Sequence, residues 1–106
     1  MYEEIYTKQM KKDVKSVKKQ NKDKEAFNTV VETLKNGKKL ELKYKDHALS
    51  GNYKTCRECH IAPDWLLIYK IDKVEKKLYL IRTGSHAELF ESIIAELNAQ
   101  LSQYVD

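Results

Sequence analysis

Three histidines, His47, His60 and His86, are the side chains of this sequence best suited to proton transfer near neutral pH, because an unperturbed imidazole titrates near ~6.5. They fall in a loop, at the end of a strand-like run and just inside a helix start, the boundary positions where a rigid scaffold presents functional groups. Glu58 lies two residues before His60, so in an extended strand both share a face with Lys54, and Asp64 follows across the Pro63 turn. Two imidazoles, carboxylates and a lysine on one surface can move protons around a phosphodiester without a metal. His86 sits beside the free backbone N–H groups of a helix N-terminus, a natural seat for phosphate. The alternative is that all three histidines are structural.

The segment Cys56-Arg57-Glu58-Cys59-His60 matches the pattern of covalent haem attachment. It lies in a strand-like run, where residues three apart point to opposite faces. No second ligand pair stands at zinc-site spacing, and the sequence points to two ordinary thiols, with neither metal nor cofactor.

The elements that must position these groups follow from periodicity. Residues 2–6 suit a short edge strand. Met10, Val14 and Val17 form a narrow apolar stripe on a basic helix starting near Thr7. Asp23 can cap a second helix, with Ala26, Phe27, Val30, Val31 and Leu34 as its apolar face and Asn36-Gly37 as its stop. Past Gly37 the period changes. Residues 53–60, 65–71 and 78–83 read as three strands with short links, an antiparallel meander. Ser85-His86-Ala87-Glu88 is a capping box opening a last helix, whose apolar positions run from Phe90 through Ile93, Ile94, Leu97 and Leu101 to Tyr104. The expected order is β-α-α-β-β-β-α: an α+β domain with two N-terminal helices packed on an antiparallel sheet and an extended C-terminal helix.

At 106 residues and 42% hydrophobic content the chain has the size and composition of one globular domain. The longest apolar run, residues 65–69, falls far short of the ~20 residues a membrane-spanning helix needs. The start lacks the basic-then-apolar pattern of a secretory signal, so the expected location is the cytoplasm. Charge is uneven: residues 1–45 hold 13 Lys against 7 acidic residues, whereas residues 91–106 carry a net −3, within a total of +4. Lys11, Lys12, Lys15, Lys18 and Lys19 cover the polar faces of the first helix. That distribution suits a polyanionic partner, or simply a solvated face.

The run Tyr44-Lys45-Asp46-His47, then Leu49, Gly51, Tyr53, Arg57-Glu58, His60, Pro63-Asp64-Trp65, Leu67-Ile68-Tyr69, Arg82-Thr83-Gly84-Ser85-His86 and Leu89-Phe90 resembles the YafQ branch of the RelE toxins. These are the toxin halves of bacterial type II toxin–antitoxin pairs. The resemblance spans residues 1–90 and implies a ribosome-dependent mRNA endonuclease, with the ribosome, mRNA and a cognate antitoxin as partners. Carried over position by position, it implies an active site of His47, His60, Asp64 and His86, with Glu58 where the pattern often has Asp. It places Arg82 at a phosphate and Phe90 near the RNA, with Lys54 and Arg57 as weaker candidates. Arg57 has the wrong strand parity to join Glu58 and His60 without a bulge; the alternative for Arg57 and Arg82 is that carboxylates tie them to sheet edges, and for Phe90 that it is core.

The chemistry so implied is metal-independent transesterification. A base takes the ribose 2′-OH proton, the 2′-oxygen attacks the adjacent phosphorus, and an acid protonates the leaving 5′-oxygen. His47 or His60 can be the base, with Asp64 or Glu58 orienting it, while Arg82 and Lys54 stabilise the phosphorane charge. Residues 91–106 extend beyond the resemblance as an acidic, apolar-striped helical extension of the same domain, suited to packing on the body, to a homodimer or to antitoxin contact. The rival readings are a non-catalytic RNA- or antitoxin-binding module and a family member silenced by that extension.

Overall fold

The computed structural model describes residues 1–89, the Asn52 side chain excepted; Phe90 and the extension expected over residues 91–106 lie outside the described residues. A strand, β1 (Glu3–Tyr6), leads into two helices, α1 (Lys8–Lys19) and α2 (Lys24–Lys35). Four more strands follow: β2 (His47–Ala48), β3 (Arg57–Ala62), β4 (Trp65–Asp72) and β5 (Lys77–Gly84). A helical turn begins at residue 86. The caps are those the residue types favour. The Thr7 hydroxyl accepts the Met10 N–H, and the Asp23 carboxylate accepts the N–H groups of Glu25 and Ala26. Ser85 and Glu88 close a reciprocal capping box at 3.2 and 3.0 Å.

The sheet order is β1-β5-β4-β3-β2. The β3–β4–β5 meander is antiparallel as expected, but β1 joins β5 in parallel, so the sheet is mixed. The two helices between β1 and the meander supply the crossover a parallel pairing requires. The expected strand over residues 53–60 begins only at Arg57, because residues 51–53 wind into a 3-10 turn, and His47 lies on the short strand β2 rather than in a loop.

The two faces of the sheet carry different burdens. Both helices cover one face, with Met10, Val30, Leu34, Cys59, Leu67, Tyr69, Leu78 and Leu80 all nearly or fully buried. Burying each such aliphatic side chain stabilises the fold by roughly 1.5–3 kcal/mol. The other face has a smaller apolar cluster of Cys56, Leu66, Ile68 and Leu89. His60 lies opposite Leu66 and Glu58 opposite Ile68, so both belong to this second, more open face.

Candidate active site

β3 and β4 are joined across Pro63 and Asp64, and the pairing register shifts between His60 and Ala62. A bulge of this kind bends a strand and re-aims its side chains. His60 stands there with its ring centroid 5.4 Å from that of His86, the two planes inclined at 62°. His86 is held twice by one oxygen: Asp64 Oδ1 accepts the His86 backbone N–H at 3.0 Å and meets ring Nδ1 at 2.6 Å. A carboxylate only accepts, so Nδ1 carries a proton and Nε2 is the nitrogen left for the site. The helix N-terminal N–H that the sequence offered to phosphate is therefore occupied by Asp64. That N–H and then the ring hold the Asp64 carboxyl below its usual range.

Burial and then the charge of His86 push the His60 imidazole below its ordinary value, while Glu58 opposes the shift. A base that resists protonation in the folded protein is neutral at pH 7, and protonating it costs fold stability as the pH falls below the unfolded value of 6.5. We expect the His60 ring resonances to titrate with a midpoint below 6.5; a midpoint at or above that value contradicts this environment.

The third histidine is fixed by its neighbours. His47 Nδ1 lies 2.9 Å from the Lys45 carbonyl, an acceptor, so Nδ1 carries a proton. Nε2 then faces Glu58 Oε1 at 3.5 Å. The β2–β3 register sets this, because His47 lies directly opposite Glu58. His47, Glu58 and Lys45 all lie close enough to bear on the charge of His60. An open cleft of about 680 Å³ runs past His60 and His86, lined also by Tyr44, Lys45 and Pro63.

Arg82 reaches this face through a second irregularity. Alternation from Leu78 and Leu80 points Arg82 into the helix-covered core, but the register slips between Ile68 and Tyr69, leaving Arg82 opposite Ile68 and Thr83 opposite Leu67. Its guanidinium is gripped by Asp13 of α1: Nε donates to Oδ2 at 3.0 Å and Nη2 to Oδ1 at 3.2 Å. Asp13 Oδ2 also accepts the Thr83 N–H at 3.1 Å. The Tyr53 phenol bears on the guanidinium as well.

The remaining candidates are not gathered with these groups. Lys54 is exposed in the turn after the 3-10 helix, not on a strand face beside Glu58 and His60. Arg57 keeps the parity its sequence position implied: Nε donates to Asp46 at 3.2 and 3.3 Å, away from the histidines. Both arginines thus hold carboxylates at the sheet. Cys56 and Cys59 are free thiols buried in separate clusters, and burial pushes Cys59 up to about 12. Among the described residues no group of three or more His, Cys, Asp or Glu side chains is arranged to hold a metal ion, and no helix is long and apolar enough to cross a membrane.

A family model, the bacterial YafQ toxin of type II toxin–antitoxin systems, matches residues 2–91. The chain belongs to the YafQ toxin family. It is 43% identical to the mRNA interferase toxin YafQ of Escherichia coli K12 over 86 residues, 80% of this chain and 91% of that protein. Among solved structures it resembles a metal-bound toxin from Helicobacter pylori, with TM-score 0.79 and 44% identity over 84% of this chain and 99% of that one. It also resembles the Escherichia coli DinJ–YafQ complex, with TM-score 0.76 and 40% identity over 85% and 99%.

In this YafQ-family chain, two residues tied to the site carried no candidate status from the sequence. Asp13 is one; its signal is that it is the single acid in a lysine-rich helix, three residues from Met10 and four from Val17, and so beside the buried stripe. Asp46 is the other, and nothing in its spacing marks it.

Proposed function

We propose that this chain is the toxin of a type II toxin–antitoxin pair and cuts mRNA on the ribosome by acid/base transesterification. The observation that carries the reading is the His60–His86 pair on one cleft, with His86 Nδ1 fixed on Asp64. His60, disposed to be neutral at pH 7, takes the ribose 2′-OH proton. The O2′–P bond forms, the P–O5′ bond breaks, and His86 delivers a proton from Nε2 to the leaving oxygen. Asp64 supplies the negative charge that a protonated His86 needs beside a helix N-terminus. His47, seated against Glu58, and Arg82, seated on Asp13, contact the phosphate. The products are a 2′,3′-cyclic phosphate and a 5′-OH. Phe90 and Lys54 stay at the periphery of this reading, and Arg57 is assigned to the sheet.

Its relatives support this reading by name, as mRNA interferase toxins and as YafQ in complex with DinJ. By that analogy the partner is an antitoxin, and the site of action is the cytoplasm, where ribosomes are. Lys11, Lys12, Lys15, Lys18 and Lys19 on α1 suit ribosomal or messenger phosphate. Purified protein is expected to cut a message threaded through ribosomes, to leave the same naked RNA largely intact, and to keep its rate in EDTA. Equal cutting of naked RNA removes ribosome dependence, and loss of activity in EDTA that returns with added metal overturns the metal-independent mechanism.

A further inference from the structure

The side chain preceding His47 points the other way. Asp46 lines a cavity of about 360 Å³ on the helix-covered face, together with Tyr2, Leu34, Leu40, Arg57 and Tyr69. There Tyr69 Oη donates to Asp46 Oδ1 at 2.6 Å, and Arg57 Nε donates to both carboxylate oxygens. Tyr69 is a buried residue of β4, directly opposite Arg57 in the register. A buried phenol needs a partner for its hydroxyl, and a carboxylate gripped by a phenol and a guanidinium has little freedom to move.

The segment that bears His47 is anchored on either side, by Tyr44 on the main core and by Leu49 on the second cluster, with little backbone pairing between them. β2 is two residues long, the preceding Lys45 sits in the left-handed region at φ 49°, and 3-10 turns flank the strand. Beyond the β2–β3 ladder, one bond from Leu49 N–H to the Cys56 carbonyl closes the loop. Asp46 immediately precedes β2 and lies in the cavity with Tyr69, whereas His47 pairs with Glu58 on the other face, so a clamp on Asp46 fixes where His47 stands. A slip of one residue would reverse both.

We infer that Asp46, clamped by Tyr69 and Arg57, is a positioning residue that fixes the place of the His47 ring on the opposite face of the sheet and keeps Nδ1 donating to the Lys45 carbonyl. The inference rests on the proposed function insofar as His47 contacts the RNA. Held in this register, the Lys45 carbonyl meets Nδ1 at 2.9 Å and Glu58 faces Nε2. Arg57 thereby acts through Asp46 and not on the phosphate.

The test uses the full chain with Asp46→Ala, Tyr69→Phe and Asp46→Asn, reading His47 ring nitrogens by long-range ¹H–¹⁵N correlation and single-turnover cleavage on programmed ribosomes. Tyr69→Phe keeps the ring in the core and Asp46→Ala changes a partly exposed side chain, so both retain the fold, which melting verifies. Wild type is expected to show His47 protonated at Nδ1. Asp46→Ala and Tyr69→Phe should replace that signature with an exchange average and slow cleavage about tenfold or more at unchanged KM, since a misplacement of ~1 Å can cost up to about 10²-fold. Asp46→Asn, which keeps an acceptor oxygen, should restore most of both. An unchanged Nδ1–H signature in Asp46→Ala overturns the clamp, whatever the rate. A lost Nδ1–H signature with wild-type cleavage upholds the clamp and removes His47 from the proposed reaction instead.

Discussion

His60→Ala and His86→Ala are each expected to lower the rate of RNA cleavage by about 10²- to 10⁴-fold, the usual cost of deleting one proton-transfer group, without a large change in melting temperature. His86 is exposed and His60 only half-buried, so neither truncation opens a core cavity. Because base and acid act on the same displacement, the double variant should be little worse than the poorer single one. Asp64→Asn should cost less than His86→Ala, since the amide oxygen still accepts the backbone and ring N–H groups and only the charge is lost. Variants that melt like wild type and cleave like wild type contradict the assignment.

Asp13→Ala carries the largest expected stability cost. Asp13 and Arg82 are nearly buried, with side chains 9% and 13% exposed, and Asp13 also accepts the Thr83 N–H. Removing the carboxylate leaves a largely buried guanidinium and an orphaned backbone donor, a loss of about 3–5 kcal/mol for a buried pair broken on one side. Thr83 in turn accepts the Trp65 indole N–H at 2.8 Å and donates to the Leu66 carbonyl at 2.7 Å, so the disturbance reaches the residue beside Asp64. Arg82→Met in the Asp13→Ala background should recover part of the stability, because the unpaired charge is gone, while activity stays low. Chemical denaturation of the singles and the double measures this directly. An Asp13→Ala variant as stable as wild type would show that the pair contributes nothing.

Local signals in the sequence were enough for the helices and the meander. Asp23 and the Ser85–Glu88 box state where helices begin, and the stripe from Ala26 to Leu34 is wide enough to show which face is buried. What local patterning could not give is what depends on pairing across the chain. β2 is too short to show a period of two, so His47 read as a loop residue. Alternation from Leu78 and Leu80 sends Arg82 to the wrong face, because the slip opposite Ile68 is invisible without β4. The hold of Asp64 on His86 spans 22 residues, and that of Asp13 on Arg82 spans 69. The histidines, Asp64 and Glu58 were thus legible as candidates, whereas which histidine each carboxylate seats, and the parts of Asp13 and Asp46, belong to tertiary structure. Lys54 shows the opposite: an extended strand through residue 54 would give it a face that the 3-10 turn at residues 51–53 takes away.

Two imidazoles, one seated on a carboxylate, suit transesterification through the 2′-oxygen. The most direct measurement is the end chemistry of a message cut by the purified protein on ribosomes. Transesterification leaves a 2′,3′-cyclic phosphate on the upstream fragment and a 5′-OH on the downstream one, with no cutting at a site whose 2′-OH is replaced by hydrogen. A 5′-phosphate on the downstream fragment, or cleavage at the 2′-deoxy site, would contradict it.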